Sequence, residues 1–194
     1  MNPFLSVWLH PKQTARYVIE HKTIVYPLIL LVIGYVLTGS AELFNTEAYP
    51  DISFVWLFLI FIILVPIIGM TFMFITVGIV FLIGKLLNGT GSFWDVFKAS
   101  AISSIPAIFT SPFFILGAAI NGGSALELIL NLITIAISIW AIVILVAAIA
   151  EAHQFSIIRS IITLIVPTII LIFLLIGIFI IFMIFFAIAF DPMI

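Results

Sequence analysis

Glu151, His153 and Arg159 bring a carboxylate, an imidazole and a guanidinium within nine residues of one another, in a chain where such groups are scarce. Three chemistries suit such a trio: metal ligation, acid–base catalysis and charge pairing. Metal ligation needs converging donors, and the three histidines at positions 10, 21 and 153 match no ligand spacing. Acid–base catalysis would need a second positioned titratable group. The chain has no paired carboxylates within an apolar segment, no HExxH, no GxSxG and no P-loop. Charge pairing remains. Unpaired charge at a membrane boundary is costly, so Glu151 is expected to pair with Arg159 across a turn, with Ser156 capping the next helix. The cluster is also a candidate surface for contact with another membrane protein, together with Trp8, Arg16 and Asp95. No catalytic residue, cofactor or metal is expected.

A second group of chemistry-bearing residues is hydroxylic. Ser100, Ser103 and Ser104 precede Pro106, and Thr110-Ser111-Pro112 follows before Asn121-Gly122-Gly123. Proline frees backbone carbonyls, which serine and threonine hydroxyls re-satisfy inside a bundle. The segment reads either as a tightly packed central helix or as a broken helix lining a solute path. Asn131 and Ser138 are seven apart, share a helical face and suit interhelical hydrogen bonds; the indole N–H of Trp140 needs a polar partner.

The elements that must position these groups are apolar helices. Of 194 residues, 65% are hydrophobic and 7% charged, and the mean hydropathy is +1.50. A soluble domain carries about 25% charge. The fold class is therefore an all-α integral membrane protein, expected as a bundle of five transmembrane helices. An amphipathic leader, residues 1–22, is expected at the cytosolic interface and is retained rather than cleaved. Residues 23–194 form the membrane domain, with spans at about 24–41, 52–84, 99–120, 126–150 and 161–190. With Cys at 0, disulfides and thiolate sites are excluded. The net charge of -2 and its dispersion give no nucleic-acid surface.

Ile52–Gly84 carries no charged residue or histidine. As one straight helix it would reach about 50 Å against a hydrocarbon core of about 30 Å. It must tilt and kink near Pro66 and Gly69, lie partly on the surface, or cross twice. The basic residues choose between these. With one crossing, Lys12, Arg16, Lys22, Lys85, Lys98 and Arg159 share one face, and Glu42, Glu47, Asp51, Glu127 and Asp191 take the other. Such a division arises in roughly one random split in thirty, so the positive-inside rule favours five spans, N-terminus in and C-terminus out.

Asn88-Gly89-Thr90-Gly91-Ser92 is a turn cluster, and Ser92 with Asp95 forms a capping box for a helix starting at Phe93. Asn88-Gly89-Thr90 also fits a glycosylation sequon; on the cytosolic face it is expected to stay unmodified.

Asn2-Pro3-Phe4 through Trp8 and Pro11, Gly91-Ser92-Phe93-Trp94-Asp95, Ser103-Ser104-Ile105-Pro106 and Glu151-Ala152-His153-Gln154-Phe155-Ser156 together resemble the bacterial branch of the Yip domain family. That family takes its name from interaction with Ypt/Rab GTPases in eukaryotes. The resemblance covers nearly the whole chain and implies a five-span bundle with a cytosolic N-terminus. Eukaryotic members bind small GTPases through a long cytosolic N-terminal region, and the 22-residue leader is too short for one. For bacterial members the resemblance implies an accessory role beside other membrane proteins, such as export systems. The expected setting is the bacterial cytoplasmic membrane. Expected partners are the lipid bilayer and another membrane protein, with homo-oligomerisation open. The rival readings are a small carrier, channel or lipid-moving protein with its path along the third span, and bilayer shaping by the leader.

Overall fold

The computed structural model describes residues 1–43, 51–119 and 125–189, and every regular element among them is a helix. Glu47, Ile120, Asn121-Gly122-Gly123, Phe190, Asp191 and the side chain of Glu42 lie outside the described residues. The helices are α1 (Pro3–Ser6), α2 (Pro11–His21), α3 (Val25–Glu42), α4 (Phe54–Leu59), α5 (Val65–Leu86), α6 (Phe93–Ile102), α7 (Ile105–Ala119), α8 (Ala125–His153) and α9 (Ile157–Ala189). A π-helical turn, Ile60–Leu64, joins α4 to α5.

Among the described residues three runs are long and apolar enough to cross a bilayer: Phe54–Leu86, Phe93–Gly117 and Ala125–His153. The first takes in the charge-free segment from Phe54 to Gly84, and it is one continuous helical run. A run without a reversal crosses once at most, so two short crossings find no turn at which to divide. Its irregularity falls where the sequence places Pro66. Proline has no N–H to donate, and its ring crowds the carbonyl four residues back. The widened turn, in which the Val65 N–H reaches the Ile60 carbonyl, accommodates this. Nearby, the ring of Tyr35 lies over Gly69 and its hydroxyl donates to the Gly69 carbonyl at 3.0 Å. This close approach seats α3 on α5.

The second of these runs, expected as the third span, begins at Phe93, earlier than the expected residue 99. Ser92 opens α6 with both arms of its capping box present: Asp95 N–H donates to Ser92 Oγ at 3.2 Å, and Ser92 N–H to Asp95 Oδ2 at 2.8 Å. The run breaks between Ile102 and Ile105, immediately before Pro106. The hydroxyls of Ser103 and Ser104 donate to the carbonyls of Ser100 and Ala101, both at 2.6 Å.

The core sits at one end of the bundle. Val77 and Val80 of α5, Val96, Phe97 and Ile102 of α6, and Ile144, Ala148 and Ile149 of α8 are buried together. Beyond it, the far halves of α8 and α9 expose isoleucine and phenylalanine, as lipid-facing helices do. The leader belongs to this core and is not a separate layer on it. Val7, Ala15 and Val18 are fully buried, and α2 packs on α8 and α6. Small residues at the contact (Ala15 on α2, Ala148 and Ala152 on α8) allow that approach.

Candidate functional site

The leader and α8 meet at an ion pair. Arg16 Nε lies 2.6 Å from Glu151 Oε1, with the guanidinium side chain 60% exposed and the carboxylate 8%. Glu151 thus pairs with Arg16 and not with Arg159, which correction has a simple geometric cause. Both α8 and α2 present one face to each other, whereas Arg159 sits beyond the turn on the exposed face of α9. The hydrogen bond from Arg16 to Glu151, and then the charge of that carboxylate, hold the guanidinium pKa above its usual value. Gln154 closes the arrangement. Its side-chain amide donates to the Glu151 carbonyl at 2.7 Å and to Oε1 at 3.2 Å, from a backbone with φ 55.

A cavity of about 190 Å³ opens over this pair, lined by Arg16, Ile19, Glu20, Thr90, Gly91, Asp95, Glu151, Ala152 and Gln154. Three acidic residues therefore line it with one arginine: Glu151 holds the guanidinium, and the Asp95 carboxylate accepts from Ser92. Lys98 is turned away from it, donating to the Ile19 carbonyl at 2.9 Å and holding the C-terminal half of α2 on α6.

His153 is not a surface group. It is fully buried, and neither ring nitrogen has a hydrogen-bond partner among the described residues. A Cβ on Gly84 would overlap one edge of the imidazole and a Cβ on Gly89 the other, while Phe155 stacks at 5.1 Å. The loop after α5 wraps the end of α8: Thr90 N–H donates to the His153 carbonyl at 3.0 Å, and Lys85 Nζ to the Thr90 carbonyl at 3.1 Å. His153 therefore acts as the peg on which α5, the loop and α8 are joined. At the start of α9, Ser156 Oγ lies 3.4 Å from the Arg159 N–H, the cap expected there.

Trp8 lies away from this cavity. Its ring meets Phe109 edge-on at 5.4 Å, and its carbonyl accepts the Trp140 indole N–H at 3.2 Å. The polar partner expected for Trp140 is thus supplied by the leader, about 20 Å along α8 from His153. Asn131 and Ser138 are both exposed, and Ser138 Oγ donates to the Thr134 carbonyl of its own helix at 2.8 Å. Among the described residues Ser138 makes no interhelical bond, its hydroxyl being satisfied within its own helix.

The other sequence-predicted group converges as a cavity. Ser100, Ser103 and Ser104 line a space of about 190 Å³ with Leu31, Gly34, Tyr35, Thr38, Met73 and Ala107; Pro106 is buried at its edge without lining it. The parts contributed by α3 (Leu31, Gly34, Tyr35 and Thr38) were invisible to sequence reasoning, which had no means of pairing α3 with the serine segment. Among the described residues no group of three His, Cys, Asp or Glu could hold a metal ion.

The Yip1 domain family profile matches residues 5–180, a range that takes in the leader, the serine segment and the Glu151 end. No curated protein and no solved structure matches the chain.

Proposed function

This chain belongs to the Yip1 domain family, and from that membership we propose a membrane-associated, trafficking-related role as a non-enzymatic adaptor or accessory factor for another membrane protein. The observation that carries the reading is the cavity over Arg16 and Glu151, where Glu20, Asp95 and Glu151 outnumber the one guanidinium. Such a recess suits a basic side chain of a partner, and charge complementarity of this kind selects partners more than it adds affinity.

In this reading the protein spans the bacterial cytoplasmic membrane five times, N-terminus in. Support comes from the six basic residues, which gather towards the Glu151 end on α2, the α2–α3 turn, α5, α6 and α9. The test is capture of the tagged protein from native membranes in mild detergent. A near-stoichiometric membrane partner should be lost on Glu20→Arg, an exposed position, with the abundance of the protein unchanged. Recovery of that partner at the same yield with Glu20→Arg would refute the adaptor surface.

The hydroxyl-lined cavity favours a second reading, a small carrier, channel or lipid-moving protein with its path along α6 and α7. It predicts that Ser103→Phe blocks a measurable flux in vesicles. Undiminished flux with the folded variant would count against it.

A further inference from the structure

We propose that the cavity between α3, α5 and the α6–α7 break is a binding site for the headgroup of an uncharged, hydroxyl-bearing lipid of the diacylglycerol type. The inference goes beyond the adaptor reading and stands without it.

Five hydroxyl-bearing residues line the cavity: Tyr35, Thr38, Ser100, Ser103 and Ser104. Four of these hydroxyls spend their hydrogen on backbone carbonyls: Tyr35 on Gly69 at 3.0 Å, Thr38 on Gly34 at 2.9 Å, Ser103 on Ser100 and Ser104 on Ala101 at 2.6 Å each. Their oxygens retain lone pairs, so the wall offers acceptors and few donors. An occupant must donate. Among the described residues no charged side chain lines the space, so a phosphate or ammonium head would be buried there without a counter-charge, at high cost. A neutral alcohol meets both conditions.

Gly34 is buried, yet a Cβ built on it meets nothing within 4 Å. A buried position with no neighbour on that side faces an internal vacancy. At about 190 Å³ the vacancy exceeds the roughly 150 Å³ of an engineered apolar cavity that admits benzene and stays dry. Its wall is largely apolar with hydroxyl acceptors set into it, which makes it a place for a hydroxylated group of glycerol size and not for a whole lipid. Thr38 at the wall is exposed on the apolar surface of α3. The acyl chains of a glycerol lipid would leave there, into the bilayer.

The experiment uses the full chain in phosphatidylcholine nanodiscs with a trace of a photoactivatable diacylglycerol carrying its diazirine near the glycerol. Crosslinks should map to residues 31–38 and 100–107, disappear with excess unlabelled dioleoylglycerol, and fall at least tenfold in Gly34→Leu, whose side chain fills the vacancy. Should Gly34→Leu fail to fold, Thr38→Val, which removes one acceptor at the mouth with little change of shape, should lower labelling several-fold. Labelling spread evenly along α9 and indifferent to these substitutions would overturn the proposal. Displacement by free glycerol but not by dioleoylglycerol would overturn it too, since the site would then serve a soluble polyol. Equal labelling by a phosphatidylcholine probe would refute the requirement for an uncharged head.

Discussion

Gly84→Ala should destabilise this protein in a way that His153→Ala reverses. Gly84 lies in α5 against the imidazole, and an added methyl would overlap the ring. The ring has nowhere to retreat, because Gly89 closes its other edge and Phe155 stacks on it. Overpacking a site of this kind costs about 1–3 kcal/mol, and the rigid surroundings place this one near 3. Replacing glycine by alanine within a helix returns about 1 kcal/mol, leaving a net loss of about 2. With His153→Ala in place the methyl enters vacated space and the gain of about 1 kcal/mol survives. The coupling between the two substitutions is therefore about 3 kcal/mol, well above the roughly 0.5 kcal/mol expected of independent sites. Gly78 supplies an internal control. It lies on the same helix with nothing within 4 Å of its would-be Cβ, so Gly78→Ala should stabilise by up to about 1 kcal/mol. The assay is equilibrium unfolding of the four cycle members and the control in one mixed-micelle system. An equal cost of Gly84→Ala in both backgrounds would refute the account of His153 as a peg between glycines.

Ser92→Ala removes one arm of the box that starts α6 and should cost about 1 kcal/mol in the same unfolding assay; no loss would mean that the box contributes nothing to the helix. Trp140→Phe removes the bond to the Trp8 carbonyl, a net contribution of about 1 kcal/mol, and should speed amide exchange at the leader tip while leaving α6 protected. Lys98→Met frees the Ile19 carbonyl and should raise exchange in the second half of α2; equal protection in the variant would show the contact to be dispensable. Gly69→Val drives a side chain into the Tyr35 ring and should lower stability by about 1–3 kcal/mol, read as loss of the folded fraction on heating in detergent.

Much of this molecule is legible in its sequence because the signals are local. The capping box at Ser92 and Asp95, the break before Pro106 and the irregularity before Pro66 all follow from groups within a turn of each other. Pairing is different. Glu151 had two guanidiniums to choose from, and proximity in sequence pointed to Arg159. The partner is instead Arg16, 135 residues away, because α2 packs along α8. Likewise, His153 looked like a surface group from its charged neighbours, and only the glycines of a distant helix and loop reveal it as buried.

The sequence by itself determined an apolar helical chain, where its helices begin and break, and which few residues carry chemistry. Composition and backbone hydrogen bonding act over a turn or two, and in an apolar setting they leave little freedom. Which helices touch was decided only in three dimensions. Apolar faces in a bilayer are nearly interchangeable to one another, so their selection rests on shape: a glycine that admits a ring, an alanine that admits a helix. Those fits placed Arg16 on Glu151, Trp8 on Trp140 and the hydroxyls of α3 opposite the serines at the end of α6 and the α6–α7 break, and so created both candidate sites.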